Sequence, residues 1–467
     1  MDTEEISEKI PFHLKGNYAP VDREVSETAL EVIGNLPREL SGRFFRNGPN
    51  PKSGTSGHWF VGDGMIHGIR LRDGKADWYR NRWVETRALL EPDVSMRGDD
   101  GVVDRTIGVN NTHIVGHAGK ILSLVESSFP CELSADLDTV GVHDFAGQLK
   151  TAMTAHPKIC PVTGEMHFFG YDQFEPYLTY HRANAAGELV QTEAIDVVGP
   201  TMIHDFAITD RHIIFMDLPV VFDLEQAMSG RFPYGWDEDY GARVGVMARA
   251  TDDETATGTP VTQNTPVQWF EVDPCYVFHP MNAFVDADDQ VVVDTARYAR
   301  MWDKSASDFR NDAFLHRWSF DLATNSVSET QLDDRALEFP RIAEHLTGLP
   351  NRFGYGTSGT EGTALAKYDL QASLGSSSSD VTAQVKEFGP NVMPGEPVFV
   401  PAENAESEDH GWLMTYTFDK SDESSQFVVL DARDISGEPV ATVRLPQRVP
   451  FGFHGSWFDD ADYPQTN

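Results

Sequence analysis

The chain is poor in lysine. Only eleven of its 37 basic residues are Lys, against 73 acidic ones, and the formal net charge is −36. So acidic a surface excludes nucleic acid as the expected partner, because phosphate binding needs clustered positive charge. It suits a soluble protein, and the shortage of Lys suits a salt-rich cytosol, where counter-ions screen the self-repulsion. Cysteine is scarcer still: Cys131, Cys160 and Cys275 are an odd, sparse set. That excludes a disulfide framework and makes a reducing cytosol the expected compartment. No run reaches the roughly 18 uninterrupted apolar residues of a membrane span. The start, Met1-Asp2-Thr3-Glu4-Glu5, lacks the apolar stretch of a signal peptide.

Helical periodicity is also weak. Glu27–Ile33, Asp223–Met228 and the stretch near Arg341–Thr347 are the best helical segments. Short β-branched and aromatic runs abound instead, with Gly, Pro, Asp or Asn near their ends. Examples are His212–Phe215, Gln290–Val293, Phe314–Phe320, Trp412–Phe418 and Phe427–Leu430. Met65–Thr86 carries Arg72-Asp73-Gly74-Lys75 near its middle, a hairpin turn signal. Leu374–Asp380 reads as a surface loop and Thr251–Pro266 as a polar insertion, and neither marks a domain boundary. Many short strands without alternating helices predict an all-β sandwich, barrel or propeller. For 467 residues the propeller scales most easily.

Four of the 16 histidines stand in distinctive contexts. His156 lies in Thr154-Ala155-His156-Pro157 and His204 in Met202-Ile203-His204-Asp205-Phe206. His279 lies in Tyr276-Val277-Phe278-His279-Pro280 and His454 in Gly452-Phe453-His454-Gly455. A zinc finger or a helical His-Glu-x-x-His site would space its ligands tightly. Wide gaps suit ligands delivered by separate strands to one place. His67 sits in an equally marked motif, Gly62-Asp63-Gly64-Met65-Ile66-His67. His113, His117, His143, His167, His181 and His212 read as surface or strand residues. Gly62-Asp63-Gly64 lacks a following Gly-Lys-Ser/Thr and reads as a turn, not a phosphate loop.

Further motifs follow one another along nearly the whole chain. They are Gly42-Arg43-Phe44-Phe45-Arg46-Asn47-Gly48-Pro49-Asn50-Pro51, His58-Trp59-Phe60, Gly62-Asp63-Gly64-Met65-Ile66-His67, Glu338-Phe339-Pro340-Arg341 and Glu396-Pro397-Val398-Phe399-Val400. In this order, with the four histidine motifs, they resemble the carotenoid cleavage oxygenases. The resemblance implies an all-β, seven-bladed β-propeller with a helical and loop dome over an axial iron site. It implies one oxygenase domain over residues 1–467, with 1–38 as an N-terminal extension packed on it. It implies one Fe(II) per chain on His156, His204, His279 and His454, the catalytic centre, and three glutamates that accept hydrogen bonds from the ligand rings, Glu126, Glu338 and Glu396. Four neutral imidazoles would leave the iron its full charge, and carboxylates behind them would fix each ring's tautomer. Val61 and Cys160 stand where the family often has Asp, and neither is a metal position.

The activity so implied is cleavage of a conjugated C=C bond by O2 into two carbonyls. The substrate expected is a carotenoid or apocarotenoid. The family's stilbene branch is the alternative, and a non-catalytic apocarotenoid-binding propeller is a second. Stilbene cleavers typically place Lys beside the first of the three glutamates and Tyr in the motif that here reads Asn81-Arg82-Trp83-Val84. Val125 and Trp83 at these places suit an apolar polyene. Strand alternation would put Val125 and Glu126 on opposite faces unless the strand end is irregular. The apolar members of Asp223–Trp236 suit either a tunnel mouth that touches a membrane or packing against the propeller rim. The expected location is therefore cytoplasmic, with peripheral membrane contact open, and the oligomeric state is left open.

Overall fold

The computed structural model describes residues 10–99, 101–250, 265–302, 311–359, 362–370 and 381–464. The acidic start, the loop at 374–380 and all but the last two residues of the insertion at 251–266 lie outside them. The chain divides into two compact units. The first comprises 1–143, 386–406 and 410–467, and the second 144–385 with 407–409.

The first unit holds three antiparallel sheets. In one, the strands Ser26–Glu27, Lys75–Trp83, Gly64–Arg72, Gly42–Pro49 and Gly455–Asp459 lie side by side. Its hairpin turns where the sequence signalled. Asp73 and Gly74 have φ of 53° and 74°, as a two-residue turn matched to strand twist requires, and Arg72 faces Lys75 across it. The last strand pairs with Gly42–Arg46, Gly455 opposite Arg46. This pairing sets His454 at the mouth of the ladder. A second sheet runs His113–His117, Lys120–Leu124, Cys131–Leu133 and Thr139–Val142. The third is built on Gly411–Asp419, Ser424–Asp431 and Ala441–Arg444. Residues near the N-terminus add edge strands: Ser26–Glu27 on Lys75–Trp83, and Val32–Gly34 on Ala441–Arg444. Phe44, Ile69, Tyr79, Met414 and Phe427 form a core between sheets, each large apolar side chain contributing about 1.5–3 kcal/mol by its burial.

The second unit has two four-stranded sheets, starting at Lys158–Ile159 and at Ala207–Ile208, and a two-stranded hairpin, Val220–Phe222 with Tyr234–Trp236. A seven-stranded sheet follows from Tyr276–Val285 onward. Its longest strand, Ser326–Arg341, serves two partners in turn. Residues up to Ala336 pair with Ala313–Asp321, and those from Leu337 pair with Phe353–Ser358. Divided there, it counts as two sheets. The described residues then form three sheets in the first unit and four in the second, besides the hairpin.

The expected helices fare differently. Leu224–Met228 is helical, capped by the Asp223 carboxylate on Gln226 N at 3.0 Å. Near Arg341–Thr347 only one tight turn forms, Glu344–Leu346. The helix expected over Glu27–Ile33 is absent. Glu27 accepts from the N–H groups of Thr28 and Ala29, both at 2.8 Å, a local bond that competes with helix, and Val32–Gly34 joins a sheet edge instead.

Candidate metal centre

His156, His204, His279 and His454 are all buried, and one ligand atom of each lies within 4.8 Å of the others. Among the described residues no other group of His, Cys, Asp or Glu is assembled in this way.

Each ring is placed by irregular backbone. His279 lies on Tyr276–Val285 where the ladder shifts register between Val277 and Pro280 and again before Asn282. Pro280 has no N–H to give to the ladder, and bulges of this kind re-aim a side chain. His156 and His204 lie in non-strand segments joined by Thr154. Its hydroxyl donates to the His204 carbonyl at 3.3 Å and accepts from His156 N at 3.1 Å. His454 directly precedes the strand Gly455–Asp459, and its N–H donates to the Thr112 carbonyl at 3.1 Å.

The outer ring nitrogens meet carboxylates. His279 Nδ1 is 2.7 Å from Glu338 Oε2, and His454 Nδ1 is 2.8 Å from Glu396 Oε1. Glu396 also accepts from Gly455 N at 2.8 Å. Glu338 accepts from Phe339 N and from the Tyr298 hydroxyl, each at 2.7 Å. Phe339 has φ +50°, a left-handed conformation costing about 1–3 kcal/mol in a non-glycine residue, and its ring stacks on His279 at 5.4 Å. Burial alone would raise the Glu338 carboxyl. The pull of the His279 ring and the hydrogen bonds from His279, Phe339 N and the Tyr298 hydroxyl outweigh it and hold the pKa below the usual range. His156 Nδ1 stands 3.7 Å from Asp205, a buried acid whose pKa is raised by desolvation against the pull of Lys158 at 2.8 Å.

The inner nitrogens converge. His204 Nε2 lies 3.1 Å from His156 Nε2 and 3.3 Å from His279 Nε2. An ionised carboxylate can only accept, so His279 carries its proton on Nδ1 and turns a lone pair inward. Four ring nitrogens buried within 4.8 Å of one another can turn their lone pairs to one common cation. Two nitrogens bound at right angles to one metal at about 2.1 Å lie about 3.0 Å apart, close to the spacings found. Imidazole donors suit iron, copper, zinc and nickel, and the carboxylates behind two of the rings are the arrangement that orients metal-bound histidines. The donor set therefore fits the iron implied by the sequence.

The other expected residues are placed as follows. Val125 is buried, and Glu126 is half-buried in the turn after Lys120–Leu124. The strand ends at Leu124, so the alternation that would have separated Val125 from Glu126 does not apply there. Trp83 ends Lys75–Trp83, donates from Nε1 to the Asn50 carbonyl at 2.9 Å, and packs with Val21 and Met65. His67 is buried with Nδ1 2.8 Å from the Tyr79 hydroxyl. His113, His117, His167, His181 and His212 lie on strands, and His143 follows one. Sequence reasoning missed Thr154, Asp205 and Tyr298. The first two sit inside the histidine motifs, which was the available signal. Tyr298 had none, because it reaches Glu338 only through the fold.

A family model described as retinal pigment epithelial membrane protein matches residues 18–459. A carotenoid cleavage oxygenase of Mycobacterium tuberculosis is 39% identical, covering 98% of this chain and 99% of its own. A carotenoid 9,10(9',10')-cleavage dioxygenase of Arabidopsis thaliana is 36% identical, covering 95% and 89%. Among solved structures, the lignostilbene dioxygenase of Pseudomonas brassicacearum has TM-score 0.82 at 27% identity, covering 97% of this chain and 100% of its own. A mutant of the apocarotenoid oxygenase of Synechocystis has TM-score 0.82 at 25% identity, covering 95% and 98%. These neighbours are propeller enzymes, and the chain shares their all-β fold.

Proposed function

The chain belongs to the family of the retinal pigment epithelial membrane protein, that of the carotenoid cleavage oxygenases, and from that premise we propose that it is an Fe(II)-dependent dioxygenase that splits a conjugated C=C bond of a carotenoid or apocarotenoid. The observation that carries the reading is the four-histidine group with carboxylates behind His279 and His454. Both atoms of O2 enter the two carbonyls and the alkene supplies the electrons, so no further reductant is consumed. Ferrous iron, when bound, lets ground-state O2 react with a closed-shell alkene.

The chain's own residues have the remaining work. Glu338 and Glu396 orient their rings and keep each outer proton on Nδ1. Glu126 has the same role in this proposal toward a third ring. Val125 and Trp83 present apolar surface to the polyene. The segment 223–236 has Leu224 and Met228 63% and 81% exposed, which supports its resting on a membrane from which a polyene is drawn. No helix among the described residues is long and apolar enough to cross one.

Purified protein is expected to hold one iron per chain and to give two carbonyl products from an apocarotenoid under labelled O2, one labelled atom in each. His204→Ala removes the ring that faces two others. It is expected to abolish iron binding and turnover while circular dichroism stays native. Full iron content and turnover in that variant would overturn the ligand assignment.

A further inference from the structure

Arg46 lies on the strand Gly42–Pro49, outside the four-histidine group, and its side chain is 4% exposed. Burial pulls its pKa down to about 10, so it stays charged at neutral pH. Taking a charge out of water is costly unless an opposite charge meets it. Among the described residues Arg46 forms no ion pair. Nη2 donates to the Pro450 carbonyl, the guanidinium carbon sits 5.7 Å from the Tyr416 ring centre, and Nε meets no acceptor. Tyr79 and Tyr416 also bear on it, but burial pushes both hydroxyls up and keeps them neutral. The one carboxylate whose charge bears on it is Glu396.

Room has been made for this side chain. A Cβ on Gly452 would stand 3.0 Å from Arg46 Cζ, and one on Gly395 would stand 3.6 Å from Nη1. Gly452 has no positive φ, and a Cβ there would also stand 2.7 Å from the Asn47 carbonyl oxygen, so space explains it, whereas at Gly395 a Cβ would make only ordinary contact. Gly395 immediately precedes Glu396, and Gly452 lies two residues before His454. The neighbouring backbone is bound to the same segment: Asn47 N donates to the His454 carbonyl at 2.9 Å, and Phe453 N to the Asn47 carbonyl at 3.0 Å. A buried positive charge is thus seated against Gly395, the residue that precedes the glutamate bound to His454.

We propose that Arg46 is a positioning residue that sets the electrostatics of the Glu396–His454 pair and so holds the bound metal in its ferrous form; this rests on the iron reading given above. The guanidinium draws charge on Glu396 away from the His454 Nδ1–H. The carboxylate then pulls less on that hydrogen bond, and the imidazole is a weaker electron donor. A weaker donor set favours Fe(II) over Fe(III), and a ferrous enzyme is the form that meets O2 and substrate.

The test is a redox titration of the iron-loaded full chain, followed by electron paramagnetic resonance, for wild type, Arg46→Gln, Arg46→Met and Arg46→Lys. Gln keeps a donor to the Pro450 carbonyl and Met keeps the stem's packing, so whichever neutral variant folds is read. The neutral variant is expected to shift the equilibrium about tenfold toward Fe(III), a fall of about 59 mV for one electron. Lys is expected to stay close to wild type. A purely structural Arg46 would lower the melting temperature and leave the equilibrium unmoved, and that result overturns the proposal, as does an equal shift with Lys. Wild type that binds no iron overturns the iron reading and this inference with it. Wild type with iron and an unmoved potential in the variants overturns this inference alone.

Discussion

His279 and Glu338 are bound Nδ1 to Oε2 at 2.7 Å, while the other carboxylate oxygen takes the Tyr298 hydroxyl at the same distance. The carboxylate is thus held from both sides, and the ring it holds cannot rotate without breaking the bond. Glu338→Gln keeps the shape and one acceptor but loses the charge. It is expected to weaken iron binding or turnover about 10- to 100-fold, the usual cost of losing such a partner. Competition with a ferrous chelator, read beside the turnover rate, checks it. Unchanged affinity and rate would refute the role.

A second expectation concerns acid. Burial keeps His67 well below the usual imidazole range and lowers His181 to about 3 and His316 to about 4. In the unfolded chain each titrates near the ordinary value of about 6.5. Between the two values the unfolded chain holds the extra protons, so stability is full above pH ~6.5 and falls as pH drops below it. Each group contributes up to about 1.4 kcal/mol per pH unit. The urea midpoint is therefore expected to fall steadily from pH 7 toward pH 4. A flat midpoint would mean that these rings are not buried in the neutral form.

Salt should act in the opposite direction. A net charge of −36 repels itself, and the screening length shrinks from about 30 Å at 0.01 M salt to about 8 Å at 0.15 M. The melting temperature is expected to climb with added KCl through this range and beyond. Full stability in dilute buffer would count against adaptation to salt.

The strands were legible because their chemistry is local. Phe314–Phe320 and Trp412–Phe418 lie within the strands Ala313–Asp321 and Gly411–Asp419, and Asp73-Gly74 turns where it should. The four histidines were legible from their motifs, and their meeting follows from bulges and loop bonds that only the fold displays. Glu27–Ile33 misled because apolar spacing does not reveal that the Glu27 carboxylate will cap its own backbone. Tyr298 and Arg46 were hidden for a different reason. Tyr298 meets Glu338, and Arg46 meets the Gly395 segment, only through the fold, and nothing near either residue in the sequence points to it.

Substrate choice can be tested at Val125. This side chain is 8% exposed and lies just past the end of Lys120–Leu124, beside Glu126. Val offers apolar contact, which a polyene matches. A phenolic hydroxyl left there without a partner would cost about 1–3 kcal/mol, or about 5- to 150-fold in preference. A carotenoid or apocarotenoid is therefore expected to give a higher kcat/KM than a 4-hydroxystilbene. Val125→Lys places an ammonium on apolar surface and is expected to depress polyene cleavage. If the side chain faces away from the substrate, the same variant lowers the melting temperature and leaves the ratio of the two kcat/KM values unchanged. Measuring both constants for wild type and variant separates these outcomes. An equal or higher value for the stilbene in wild type would defeat the carotenoid assignment, and the iron oxygenase reading would survive it.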